Sequence, residues 1–281
     1  MSTANARANA RLEHDFRVVD VHARLSPDGR GEPSTRVPPA TPDRMEREMH
    51  QAGIVRAVVF PGTRAGESYV AANNGVARRS VERPFVAVAR INGVNALETD
   101  RTGRFRNVVS RRQPFHTTPE DVEQYAYDDR FHGFVLDPAV DGVPDEVVLA
   151  ELEAASLPVI VRGSEDAPPS ALVDPLLDRG FPAIVSHGGG PSVSRPSAHA
   201  FLDLLEAVDD CYLETSGVRY REVLERALLE HPDRVLFGSG APDWHPNVAI
   251  MEILTLDVSA DKLRRAFSKN ACRVIDSLRP E

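Results

Sequence analysis

The chain has 281 residues with 33 Lys+Arg and 42 Asp+Glu, a formal net charge of −9. That acidic balance argues against nucleic-acid or anionic-membrane partners. No apolar run reaches the ~18 residues a spanning helix needs, and residues 1–16 lack the apolar stretch of a secretory signal. Two cysteines, Cys211 and Cys272, supply neither a disulfide framework nor a Cys-rich zinc site. The expectation is a reduced, cytoplasmic globular protein whose partner is a small molecule, with homo-oligomerisation left open.

Residues 1–16 read as a polar arm, disordered or loosely docked, and 17–281 as one domain without repeat or linker. From there, short apolar runs alternate with helical patterns. The runs fall at 16–22, 54–60, 85–91, 131–136, 158–161, 182–187, 211–215 and 234–239. They are rich in Val and Ile and nearly continuous, as strands covered on both faces should be. Between them, Thr41-Pro42 and Thr118-Pro119 supply a cap and an N1 proline, and Gly53 ends the first helix. Further helices are expected over 67–81, 144–155, 169–179, 196–208, 219–230, 246–256 and 261–278. Eight strands separated by helices predict an α/β fold, a (β/α)8 TIM barrel, with a doubly wound open sheet as runner-up. The stretch 92–117 is long for a connector and reads as an insertion able to cover a site.

In such a barrel, chemistry sits at the C-terminal ends of the strands. The first run ends Asp20-Val21-His22-Ala23-Arg24, with the three polar residues two apart and so on one strand face. The fifth ends at Arg162-Gly163. The sixth ends at Ser186-His187 before Gly188-Gly189-Gly190, and the eighth runs through Gly238-Ser239-Gly240 to Asp243-Trp244-His245.

In these motifs, with Glu214-Thr215-Ser216-Gly217 and Lys269-Asn270-Ala271, the chain resembles the TIM-barrel amidohydrolase-related hydrolases and decarboxylases (amidohydrolase 2 type). The resemblance implies two histidines on strand one, a histidine on strand five, another on strand six and an aspartate on strand eight. In the family these hold a divalent metal, usually zinc, and some relatives add a carboxylated lysine on strand four. Here His22 and His187 match, whereas Arg24, Arg162 and Gly240 stand at the other ligand positions. The only lysines are Lys262 and Lys269, leaving 31 arginines and no lysine in the first 261 residues.

A catalytic zinc needs about three protein ligands and an open position, and a guanidinium offers a cation no lone pair. The expectation is therefore a degenerate metal site with no bound metal or other cofactor. Zinc or another divalent ion is the alternative, through a site rebuilt from His22, His187 and Asp243, with His245 nearby. Two arginines suit a carboxylate or phosphate, which they can bind in bidentate forks. The residues so assigned are His187, His22 and Asp243 as catalytic groups, and Arg24, Arg162, Trp244 and His245 as substrate-binding groups. The competing reading has Arg24 and Arg162 in buried ion pairs with Asp20 or Glu214. Two functions stay open: a hydrolase or lyase acting on a small anionic substrate, and a non-catalytic ligand-binding or partner protein on the same scaffold.

Overall fold

A computed structural model describes residues 14–29, 37–63, 66–97, 111–186 and 194–280. Each of the eight apolar runs forms a strand: β1 (Val18–Leu25), β2 (Ile54–Pro61), β3 (Phe85–Arg90), β4 (Phe131–Leu136), β5 (Val159–Arg162), β6 (Ala183–Ser186), β7 (Cys211–Glu214) and β8 (Val235–Leu236). They lie parallel in sequential order β1 to β8. That order excludes the open doubly wound sheet, whose strand order reverses at a switch point. The ring closes where Val21 N–H donates to Phe237 O (2.9 Å), Gly240 N–H to His22 O (3.0 Å) and Arg24 N–H to Ala241 O (2.8 Å). The protein is a (β/α)8 barrel.

Two apolar layers hold it. Val19, Val21, Val58, Val88, Val135, Ile160, Ile184 and Leu236 fill the barrel, and Ile275 and Leu278 pack beneath them. Arg17, just before β1, reaches Leu278 O (3.3 Å), which sets the C-terminal segment against the N-terminal face. The larger layer lies between strands and helices and includes Met45, Phe134, Leu152, Phe201 and Phe267.

Helix starts follow their caps. Thr41 caps Pro42–Ala52, and Gly53 ends it at φ 70°. Thr118 and Asp121 form a reciprocal capping box on Pro119–Tyr127. Two expected helices are realised differently. Residues 169–179 form one α-helical turn, Pro169–Leu172, and then a π-helical turn, Val173–Leu177, because Pro175 has no N–H for the α-helical ladder. The last helix is broken by a π-helical turn at Arg265–Lys269, whose Ala266 O accepts from Phe237 N–H (2.9 Å). The 92–117 insertion is stapled at its ends: Asn92 N–H donates to Thr117 Oγ1 (3.0 Å) and Thr117 N–H to Asn92 Oδ1 (2.7 Å). Its middle, 98–110, lies outside the described residues, as does the N-terminal stretch 1–13 of the expected arm.

Candidate active site

Alternation along the strands builds the barrel mouth. Two residues beyond inward-facing Val88, Val135 and Ile160 come Arg90, Asp137 and Arg162. A register irregularity between Asp20 and Ala23 accompanies the turn of β1 into the mouth. His22 Nδ1 lies 3.1 Å from Glu214 Oε1, with the two side chains 5% and 0% exposed. Glu214 also accepts from Ser216 N–H (2.7 Å) and Ser216 Oγ–H (2.5 Å). Burial by itself would push the Glu214 carboxyl up. The His22 charge and the bonds from His22 and Ser216 outweigh it, so the carboxyl sits below its ordinary value. Phe60 meets the imidazole edge-on at 5.0 Å. A side chain at Gly238 would collide with Glu214 Oε2, so this glycine makes room for the carboxylate.

Asp20 sits beside this pair, fully buried. Its Oδ1 accepts from His22 N–H (3.0 Å) and Ser239 N–H (2.9 Å), and Ser239 Oγ–H donates to Oδ2 (2.5 Å). Burial raises this carboxyl to about 6, although the bonds from Ser239 and His22 pull it back. A carboxyl raised in the fold contributes most stability below its unfolded value, and that contribution is lost as pH rises through about 6. Asp20→Asn keeps the hydrogen-bonding shape without the charge. Between pH 4 and pH 7 the stability difference between variant and wild type should drift toward Asn by about 2 kcal/mol. Urea melts of both across that range check it; parallel curves would contradict it.

The arginines are in ion pairs, as the competing reading held, but with other partners. Arg24 pairs with Asp243 across the junction of β1 and the loop after β8. Arg162 Nη1 lies 3.0 Å from Asp137 Oδ2, and its buried Nε has no hydrogen-bond partner among the described residues. Behind them Arg90, fully buried, holds Asp141 Oδ2 through Nε (3.0 Å) and Nη2 (2.8 Å) and lies 4.0 Å from Asp137. Tyr69 Oη–H donates to Asp141 Oδ1 (2.6 Å). The short helix Pro138–Asp141, not expected from the pattern, brings Asp141 to this position.

Of the other assigned residues, Trp244 packs under the Arg219 guanidinium, 4.5 Å from the ring centre. His245 caps the helix Pro246–Leu254, its Nδ1 accepting from Asn247 N–H (3.2 Å). His187 and Gly188-Gly189-Gly190 lie outside the described residues. Cys211 is buried at the opposite end of the barrel, where burial pushes its thiol up to about 12. Among the described residues, the one trio of His, Cys, Asp or Glu close enough to share a cation is Glu206, Glu230 and His231. It lies at that same far end, where the helices Arg195–Ala207 and Arg221–Glu230 finish.

A sequential eight-stranded parallel barrel with acid–base and cationic side chains gathered at one rim defines a TIM-barrel enzyme of the amidohydrolase type. The chain belongs to the amidohydrolase family, whose model, described as Amidohydrolase, matches residues 19–276. No curated protein sequence matches it significantly. Among solved structures it is similar to 2,6-dihydroxybenzoate decarboxylase from Rhizobium (15% identity, 93% of this chain and 99% of that one, TM-score 0.65). It is also similar to a probable 2-pyrone-4,6-dicarboxylic acid hydrolase from Acinetobacter baumannii with citric acid bound (13%, 92% and 99%, TM-score 0.62). A third is 5-carboxyvanillate decarboxylase from Novosphingobium aromaticivorans with bound manganese (13%, 94% and 99%, TM-score 0.60). At these identities the likeness shows the fold. No helix among the described residues is long and apolar enough to cross a membrane.

Proposed function

We propose that this protein is a hydrolase or carbon–carbon lyase for a small carboxylated or phosphorylated substrate, working by acid–base chemistry at His22 without the family's usual metal. The carrying observation is the His22–Glu214 contact, 3.1 Å between buried side chains. The residues present do not fit a catalytic divalent ion. Arg24 and Arg162 stand at two ligand positions, and both are cations held by carboxylates. Gly240 stands at a third, with φ 69°. A Cβ there would come 2.9 Å from Trp244 Cδ1 and 3.2 Å from Ser216 Cβ, so indole and serine occupy the space an aspartate would need. A site rebuilt from Asp243 and His245 would first have to break the Arg24 ion pair and the helix cap.

The chemistry follows from the pair. Glu214 sits 3.1 Å from Nδ1 and leaves Nε2 to exchange a proton with substrate. Arg162 keeps N–H groups beyond the one on Asp137, and these suit the substrate's anionic group. In a decarboxylation the carbon–carbon bonding pair stays on the carbon that loses CO2, and that carbon takes the proton from Nε2. Such a step needs only a placed acid and an anion holder, whereas amide hydrolysis also needs an activated water. His187, next in sequence after β6, is the second proton carrier in this reading. The Arg24–Asp243 pair is a strut closing the rim, and Asp243 is given no proton transfer.

The compounds named for the similar enzymes, 2,6-dihydroxybenzoate and a pyrone dicarboxylic acid, support a carboxylate as substrate class. A panel of aromatic and heterocyclic carboxylates and phosphate esters, followed by CO2 release and by acid production, tests the proposal. Turnover of a carboxylate that saturates at millimolar concentration or below is expected. Saturable binding across the panel with no turnover would favour the non-catalytic reading.

A further inference from the structure

We propose a second, distinct recognition element, a pocket beside the mouth that takes the far end of an organic carboxylate and is built around Arg219. It lies between the loop after β7, which carries Arg219, and the helix Pro246–Leu254, and it reaches the rim at Ser239. Its volume is about 320 Å³, room for a ring-sized fragment. Trp244, Val248 and Ala249 supply an apolar wall, while Arg219 and Glu252 supply the polar groups.

Three features make this a recognition element for an anion with an apolar body. First, Arg219 is the one cation in the lining. Its guanidinium carbon lies over the Trp244 ring, 4.5 Å from the centre, and the side chain forms no ion pair or hydrogen bond among the described residues. The other mouth arginines, Arg24, Arg90 and Arg162, each hold a carboxylate. A guanidinium held over an indole face keeps its N–H groups available, which suits capture of a carboxylate. Second, Trp244 Nε1 is buried without a hydrogen-bond partner among the described residues, a donor beside the pocket that has no acceptor. Third, Glu252 faces the same space. Burial pushes its carboxyl up and the Arg219 charge holds it back, yet among the described residues the two form no ion pair. A ligand that places an acceptor on Arg219 and keeps its apolar body against Val248 and Ala249 satisfies the lining, and Glu252 selects against a second negative charge at that end. The pocket rests on the proposed mouth chemistry only in being contiguous with it through Ser239.

The chain has a single tryptophan, Trp244, which lines this pocket, so its emission reports ligand there and the Arg219 variants assign the change to the pocket rather than the mouth. Titration of the full chain with benzoate, benzamide and inorganic phosphate is the experiment. Benzoate should shift the emission saturably, and benzamide of the same shape should bind at least about tenfold more weakly, because a charge-assisted bond is lost. Arg219→Gln should weaken benzoate about 10- to 100-fold, Arg219→Lys should recover part of the loss, and Glu252→Gln should tighten it. Phosphate binding as well as benzoate would contradict the apolar half of the proposal. An Arg219→Gln variant that binds benzoate as wild type does, or benzamide equal to benzoate, would overturn it. Arg219 is exposed, so its variants should fold. Emission is read without turnover, so an inactive but benzoate-responsive protein would count against the mouth chemistry and leave the pocket standing.

Discussion

His22→Gln is expected to lower kcat by about 10²–10⁴-fold, the usual worth of a positioned proton carrier, with a much smaller change in KM. The amide can still face Glu214, so the carboxylate keeps a partner and the loss is one of proton transfer. Glu214→Gln should be the informative companion. The imidazole remains but loses the carboxylate that holds it in place, so kcat should fall while the variant still folds. A merely structural His22 would lower stability and leave the kcat of the folded variants close to wild type. Stopped assays on both variants, with melts to confirm that each is folded, separate the two.

Arg90→Met should be the most destabilising single change at the rim, by about 3–5 kcal/mol, because it leaves a buried carboxylate without its cation. Arg90 is fully buried and gives Asp141 two hydrogen bonds, while Tyr69 supplies a third. Burial already pushes the Asp141 carboxyl up, and Arg90 is the main group holding it down. Without the guanidinium the carboxyl should protonate more readily, so the loss should shrink in acid. Arg90→Met with Asp141→Leu should recover much of it, since replacing both members of a buried pair is often close to neutral. Denaturant melts of the single and double variants at two pH values decide this. A double variant no better than the single would mean that Arg90 acts through packing alone.

The barrel was legible in the sequence because its strands are buried on both faces and read as unbroken Val/Ile runs. Thr41, Thr118 and Gly53 marked helix ends by local chemistry that the fold did not override. His22 and Arg162 were legible as strand-end residues. The partnerships were not. Glu214 stood out as part of a motif and as a partner offered to the arginines, and nothing local says that it faces His22, since side chains of β1 and β7 come together only when the ring closes. Asp137 and Arg90 could have been found by counting two residues on from Val135 and Val88, the alternation that fills the barrel. Asp141 could not, since it depends on a four-residue helix that carries no periodic signal. Arg219 gave no signal, because its role arises from a loop packing on Trp244.

The most direct measurement of the central claim is turnover of the best carboxylate by protein dialysed against a strong chelator, with metal content determined on the same sample. Metal well below one equivalent and an undiminished kcat are expected, with no gain on adding zinc or manganese. Activity lost on chelation and restored by stoichiometric metal would contradict the account, and would require ligands other than Arg24, Arg162 and Gly240 to hold the ion.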